Sequence, residues 1–444
     1  MPASSRCSTL VSLFALTFLC LPVASQVDAQ DVTLKASDTE HWYRGNLHTH
    51  TLWSDGDDYP EMIAAWYQDH GYQFVVFTDH NTLHDYEQWI DLEKNKGGLK
   101  AFQKLTAAFP AGWVETREHK GRKQVRLKEF DAVYNRMAKP QEFILIQGEE
   151  ITDSYRRYPI HMCATNTRDL LPPMGGDSVI DVMQRNMDAA ISRRERSGEA
   201  TLVHLNHPNF GYAVTAEQLM QVVGENFFEV HNGHPLVHNA GDKLHASTGR
   251  MWDIINTWRL AKLNLPVMYG LATDDSHDYF QTLLHRGSQP GRGWVMVLTD
   301  TLKPDALVKA LEAGRFYSSS GVTLNEIQQT STGMKVSIVA EPNVSYRIDF
   351  IGTRTPFDEA TTPASDDAEQ AANLTRVYSG DVGKVLKSVE GIDGGYEYDG
   401  TELYVRALIT SSRLHPNPVQ VGNFERAWVQ PVVLARPEKP KSSN

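Results

Sequence analysis

The stretch Asn46-Leu47-His48-Thr49-His50 sets two imidazoles two residues apart. On a strand, the side-chain period of two turns both toward one face, where they can grip one metal ion. A lone His-x-His is equally well explained by a half-exposed strand. Here the pair is followed by Asp55, Thr78-Asp79-His80-Asn81, Gly148-Glu149-Glu150, His161, Asn206-His207-Pro208 and Asp275-Ser276-His277, several of them just after apolar runs of strand length. His48, His50, Asp55, His80, Glu150, His161, His207, Asp275 and His277 offer nine nitrogen and oxygen ligands and no thiolate. Such a set suits zinc, manganese or iron. A mononuclear hydrolytic zinc uses about three protein ligands plus water, so nine imply two or three divalent ions. A centre of that kind lowers the pKa of a bridging water, polarises an ester and stabilises the attacking and leaving oxygens.

Neighbouring groups compete for some of these places. Adjacent strand residues face opposite ways. Gly-x-Glu spacing therefore favours Glu150 over Glu149, and Asp-x-His favours Asp275 over Asp274. His204 reads as a core residue or a support for His207, and Asp79 as a support for His80 or for a loop. His231 and His234 flank a strand end and could touch substrate or only hydrogen-bond within the fold. Arg286 and Arg292 bracket a Gly-rich loop after the last ligands, where they could clamp an anion or face solvent. Cys163, two residues after His161, reads as a small buried hydrophobe.

The elements that must position these residues alternate strand, loop and helix. Trp42–Leu47 is a strand ending in the histidine pair, and Pro60 opens a helix that Gly71 ends. Tyr72–Phe77 is a nearly continuous apolar strand, as buried parallel strands are. Strands at Phe143–Ile146, Tyr158–Ala164, Ala200–Leu205, Phe227–Val230 and Pro266–Leu271 follow, with helices at Ser178–Glu195 and Gly249–Lys262. Polar residues just past each strand point to an α/β barrel or sheet with its site at the strand C-termini. Residues 84–140 interrupt this rhythm as a charged insertion, with helices near Tyr86–Lys94 and Lys100–Ala108 and a hairpin turning at Lys120-Gly121-Arg122. After Gly321 the pattern becomes short alternating strands, which predicts a separate small β-sandwich over residues 321–437.

The chain has 444 residues, a net charge of −12 and three cysteines. That charge disfavours a long nucleic acid as partner, whereas a small ester is compatible with a metal cluster that brings its own positive charge. An apolar run from about Leu10 to Ala24 follows Arg6, so residues 1–25 read as a signal peptide cleaved near Ser25 or Ala29. The run is short for a membrane span of roughly 20 residues. The expectation is export to a periplasmic or extracellular compartment, with no membrane span after cleavage. Cleavage leaves Cys163 alone, so no internal disulfide can form.

His48-x-His50, Thr78-Asp79-His80, Gly148-x-Glu150, Asn206-His207-Pro208 and Asp275-x-His277, in this order, resemble the motifs of the PHP (polymerase and histidinol phosphatase) superfamily of metal-dependent hydrolases, over residues 41–320. The resemblance implies a distorted seven-stranded β/α barrel with a di- or trinuclear site. It implies one ion on His48, His50, Glu150 and Asp275, a second on Glu150, His161 and His207, and a third on Asp55, His80 and His277. Asp at position 55 resembles the nucleotide-cleaving branch. The leader, the insertion, Tyr317-Ser318-Ser319-Ser320-Gly321 and the appended β region look more like a secreted subgroup that includes carbaryl hydrolase-type enzymes. The resulting expectation is a phosphoesterase using a metal-bridged hydroxide. The alternatives are hydrolysis of a carboxylic ester, carbamate or amide at the same site, and a non-catalytic metal-containing binding protein.

Overall fold

The computed structural model describes residues 31–280 and 287–434. The leader and Arg286 lie outside the described residues. Among these residues no helix is long and apolar enough to cross a membrane.

The chain is mixed α/β. After β1 (Val32–Lys35), β2 (His41–Asn46) leads into the histidine pair, α1 (Pro60–Asp69) and β3 (Phe74–Phe77). Pro60 at the first turn lacks only an N–H that would be unpaired there anyway. Ile63, Ala64 and Tyr67 form the buried face of α1, and all four residues of β3 are buried. The insertion forms β4 (Gln88–Asp91), α2 (Gly98–Ala108), β5 (Thr116–His119), β6 (Arg122–Leu127) and α3 (Phe130–Met137). The hairpin turns at Lys120-Gly121, both with positive φ. Tyr86–Lys94 does not form the helix expected of it. Gln88–Asp91 pairs with the open edge of β6 instead, so the hairpin's unmet backbone groups override the local helical pattern.

β7 (Ile144–Tyr155) and β8 (Tyr158–Thr165) form a long hairpin, followed by α4 (Val179–Ser197), β9 (Leu202–Leu205), α5 (Ala216–Leu219), β10 (Phe227–Asn232), α6 (Thr248–Trp258) and β11 (Tyr269–Thr273). Then come β12 (Trp294–Thr299), α7 (Pro304–Glu312) and β13 (Phe316–Ser319). These strands run in the order β11-β10-β9-β8-β7-β3-β2-β12-β13. No ladder closes this order into a ring among the described residues. Side chains approach closure, because Ser318 Oγ accepts from Ala272 N and donates to Gly270 O.

Apart from one two-stranded pair, the C-terminal strands join sheets that include earlier strands. β14 (Leu324–Gln329), β15 (Gly333–Ile338), β16 (Tyr346–Arg354), the short pair β17 (Thr361–Thr362) and β18 (Val377–Tyr378), α8 (Ala368–Ala371), β19 (Lys384–Glu390), β20 (Asp393–Glu397), β21 (Glu402–Leu414) and β22 (Phe424–Val433) follow in sequence. β22, β21, β16 and β19 extend the large sheet from β13, while β1, β14, β15 and β20 form a second sheet. One core cluster joins them, with Leu34 from the first strand, Leu298 and Tyr317 from β12 and β13, and Ile348, Ala407 and Val429 from the C-terminal strands.

Candidate metal centre

The C-terminal ends of β2 and β3, Glu150 midway along β7, His161 within β8 and the residues just beyond β9 and β11 meet at one point. Asn46, last in β2, donates to His48 O at 2.9 Å and accepts from Asp274 N at 3.0 Å, which pins the histidine loop to the end of β11. His48 is fully buried, and its Nδ1 lies 2.7 Å from Glu229 Oε1. A carboxylate there accepts the Nδ1 proton and leaves the Nε2 lone pair free for a cation. That Nε2 faces His50 Nε2 at 3.1 Å, and Glu150 Oε1 and Asp275 Oδ1 at 3.3 Å each.

The other candidate ligands close around the same space. His50 Nε2 lies 3.3 Å from Asp275 Oδ1 and 3.4 Å from Glu150 Oε2. His161 Nδ1 and His207 Nε2 approach Glu150 Oε1 at 3.1 and 3.4 Å. His80 Nδ1 lies 2.7 Å from Glu150 Oε2, and Asp55 Oδ1 bridges His277 Nε2 at 3.3 Å and His80 Nε2 at 3.6 Å. All nine proposed ligands are thus brought together. Four overlapping groups have metal-ligand spacing: His50, Asp55, His80 and His277; His48, Glu150 and His207; His48, His50 and Asp275; and His80, Glu150 and His161. His50 thus joins the set implied for Asp55, His80 and His277, and His161 groups with His80 as well as sharing Glu150 Oε1 with His207.

The donors fit divalent cations. Glu150 Oε2 is buried without a hydrogen bond, facing imidazole nitrogens. Burial alone would raise the Glu150 carboxyl, yet His80, His48 and His161 hold it well below the usual range. Burial opposes ionisation of Asp275 as well, and His48 and His50 overcome it. Burial and the neighbouring His277 and His80 push His50 down to about 4, so it presents a neutral ring. Against the lowering by burial, the same carboxylates raise His48, His80, His207 and His277, so a bound divalent ion would displace imidazole protons. Carboxylates beside imidazoles are the donors that a hard or borderline divalent ion takes.

The competing groups are occupied elsewhere. Glu149 Oε1 accepts from Leu171 N at 2.6 Å. Asp274 accepts from Tyr67 Oη at 2.8 Å and from the backbone of Arg292 and Gly293. Asp79 accepts from Thr51 and Ser54, fixing the loop that carries Asp55, and from His84 Nε2 at 2.7 Å. His204 is buried 3.5 Å from Glu229, and Cys163 is buried with its sulfur 3.2 Å from Asn206 Nδ2. His234 reaches the mouth, its ring 5.5 Å from that of His277. His231 does not. It stacks on Trp428 and bonds Arg292 O. Arg292 also turns away, because its guanidinium donates to Gly233 O, Gly287 O and Asn417.

No family model matches the chain, and no curated protein matches it. Among solved structures, it is similar to a two-domain protein from Bacteroides vulgatus ATCC 8482 described as containing a predicted PHP-like metal-dependent phosphoesterase. The identity is 14% and the TM-score 0.39, over 91% of this chain and 99% of that one. It is also similar to an amidohydrolase from Chromobacterium violaceum solved with bound sulfate and no metal, at 12% identity and TM-score 0.28, over 61% of this chain and 96% of that one.

Three supporting residues escape the sequence motifs. Glu229 and Asn232 both face the cluster although they are three apart, because the β10 register shifts between Glu229 and His231. Asn232 Nδ2 donates to Glu229 Oε2 at 2.7 Å and to Asp275 Oδ2 at 3.1 Å. Phe210 packs its ring 5.2 Å from His207 and 6.0 Å from His234 at the mouth. An acid inside the apolar run Phe227–Val230 was the available signal for Glu229.

Proposed function

We propose that this chain is a metal-dependent hydrolase whose substrate is a small phosphoester. The observation that carries the reading is the donor balance: six imidazoles and three carboxylates in four overlapping groups. Three divalent ions would outweigh the three ligand carboxylates and the Glu229 carboxylate behind His48, so a fully loaded site would attract an anion. Bound there, such ions lower the pKa of water and stabilise charge on the reacting oxygens. The protein's own share is orientation. Glu229 fixes the His48 ring, Asn206 holds Glu150 through a 2.6 Å bond, and Asn232 holds Asp275. Phe210 and His234 narrow the mouth against solvent. The order of the motifs and their place at strand ends support the PHP reading and, within it, a distorted seven-stranded barrel. The apolar run near the N-terminus supports export.

A second reading, hydrolysis of a carboxylic ester, carbamate or amide, is favoured by the position of Arg292. With that guanidinium committed to backbone and Asn417, it cannot clamp a phosphate. Lys96, near the same rim, is 3.2 Å from Asp278. Elemental analysis of the purified protein and a panel of p-nitrophenyl phosphate mono- and diesters and carboxylate esters separate the readings. Two or three ions per chain with phosphoester turnover, lost in His48→Ala, is the expected result. The same metals with carboxylate-ester turnover alone selects the second reading. A protein that takes up no divalent ion on reconstitution overturns both.

A further inference from the structure

A cavity of about 330 Å³ lies between the first turn of α6 and the strands β21 and β22, and none of the nine metal-site residues lines it. Its volume is within the range of about 300–1,000 Å³ typical of small-molecule sites. Alternation along β22 puts Phe424, Arg426 and Trp428 on its wall, and β21 adds Arg406 and Leu408. Ala427 and Val429 turn to the opposite core.

Four arginines reach this wall, and Asp253 is the one carboxylate in the described lining. Arg406 is neutralised by Asp253, with Nε and Nη2 at 2.8 and 2.7 Å from its oxygens. Arg250 is spent on the carbonyls of Val382, Tyr378 and Ser379, and Arg292 on Gly233, Gly287 and Asn417. Arg426, an exposed residue of β22 whose side chain lines the cavity, has no acidic partner among the described residues. His415 lines the same space at 7% exposure. Its Nδ1 accepts from Asn417 N at 3.0 Å, so the neutral ring carries its proton on Nε2, a donor with no partner among the described residues.

We propose that this cavity binds a small organic carboxylate with an apolar body, at a site separate from the metal centre. The one unpaired guanidinium fork matches one carboxylate, the His415 N–H supplies a further donor, and Trp428, Leu408 and Val419 line the space for the body, with the exposed Phe424 at its rim. A single unpaired cation favours a monoanion over a phosphate dianion.

The test is calorimetric titration of 3-phenylpropionate into the full protein, with 3-phenylpropanol and inorganic phosphate as comparators. One molecule binds per chain, the alcohol and phosphate bind at least about tenfold more weakly, and Arg426→Met weakens the acid by a similar factor. Leu408→Trp fills the cavity without removing the cation and also weakens binding, while thermal melts show both variants folded. Protein treated with chelator keeps the site. Unchanged affinity in either variant, equal binding of the alcohol or phosphate, loss of binding with the metal, or no binding of the acid each overturns the proposal.

Discussion

Glu229 accepts hydrogen bonds from His48 Nδ1, His207 N, Asn232 Nδ2 and Thr273 Oγ1, all within 2.8 Å. It touches two ligand residues without joining a ligand group. Glu229→Gln keeps its shape but removes the charge that holds the His48 tautomer. Metal affinity should fall roughly 10- to 100-fold, read by competition with a chromophoric chelator. Shared ligands should matter more than peripheral ones. Glu150 serves two groups and is buried, whereas Asp55 serves one and its side chain is 56% exposed. Glu150→Gln should therefore lower the metal content per chain more than Asp55→Asn, and unequal losses in the reverse order would contradict the shared-ligand arrangement. Residues behind the site set a pH response of their own. Burial pushes His231 down to about 3 and His415 to about 4. Below the ordinary histidine pKa of about 6.5 the unfolded chain takes up protons that the folded one refuses, so stability falls as pH drops from 6.5 toward 4. Each such ring contributes up to about 1.4 kcal/mol per pH unit in that window. His415→Gln should flatten the fall in urea-unfolding free energy between pH 6.5 and 4.

At the scale of elements, helix ends carry local and separable contributions. Ser178 caps α4 by accepting from Asp181 N at 3.1 Å, and Gly198, with φ of 71°, ends it. Ser178→Ala should cost about 1 kcal/mol, measured by urea denaturation. This helix was legible in the sequence because cap, apolar spacing and terminal glycine agree. The convergence of the nine candidate residues was legible for a similar reason: each motif sits where an apolar run stops, and the strand period decides between Glu149 and Glu150. Glu229 and Asn232 were hidden by the shift in β10, which no period of two anticipates. Arg292 shows another limit. Its place after Asp275 and His277 suits an anion clamp, but its partners Gly233 and Asn417 come from segments distant in the chain. β4 was hidden likewise, since an edge supplied by another segment decided its state.

Across the whole molecule, the strands after β13 are tied to the part that carries the ligands by a buried ion pair. Arg406 on β21 grips Asp253 on α6 through two hydrogen bonds, and Tyr404 Oη adds a third at 2.9 Å. Both charges are nearly inaccessible to water. Two ions taken out of water lose hydration that their attraction only partly restores. The net stabilisation from the pair is therefore small, but losing one member leaves a bare buried charge. Arg406→Met should destabilise the protein by about 3–5 kcal/mol in urea unfolding, through the stranded Asp253 carboxylate. Adding Asp253→Leu to that variant should recover much of the loss, since the Tyr404 hydroxyl keeps the backbone oxygen of residue 253, 3.4 Å away, as an acceptor. If the double variant is as unstable as the single one, the carboxylate is not the source of the cost. The contact would then act by holding β21 against α6, and the lost stability would come from packing between the two parts rather than from charge.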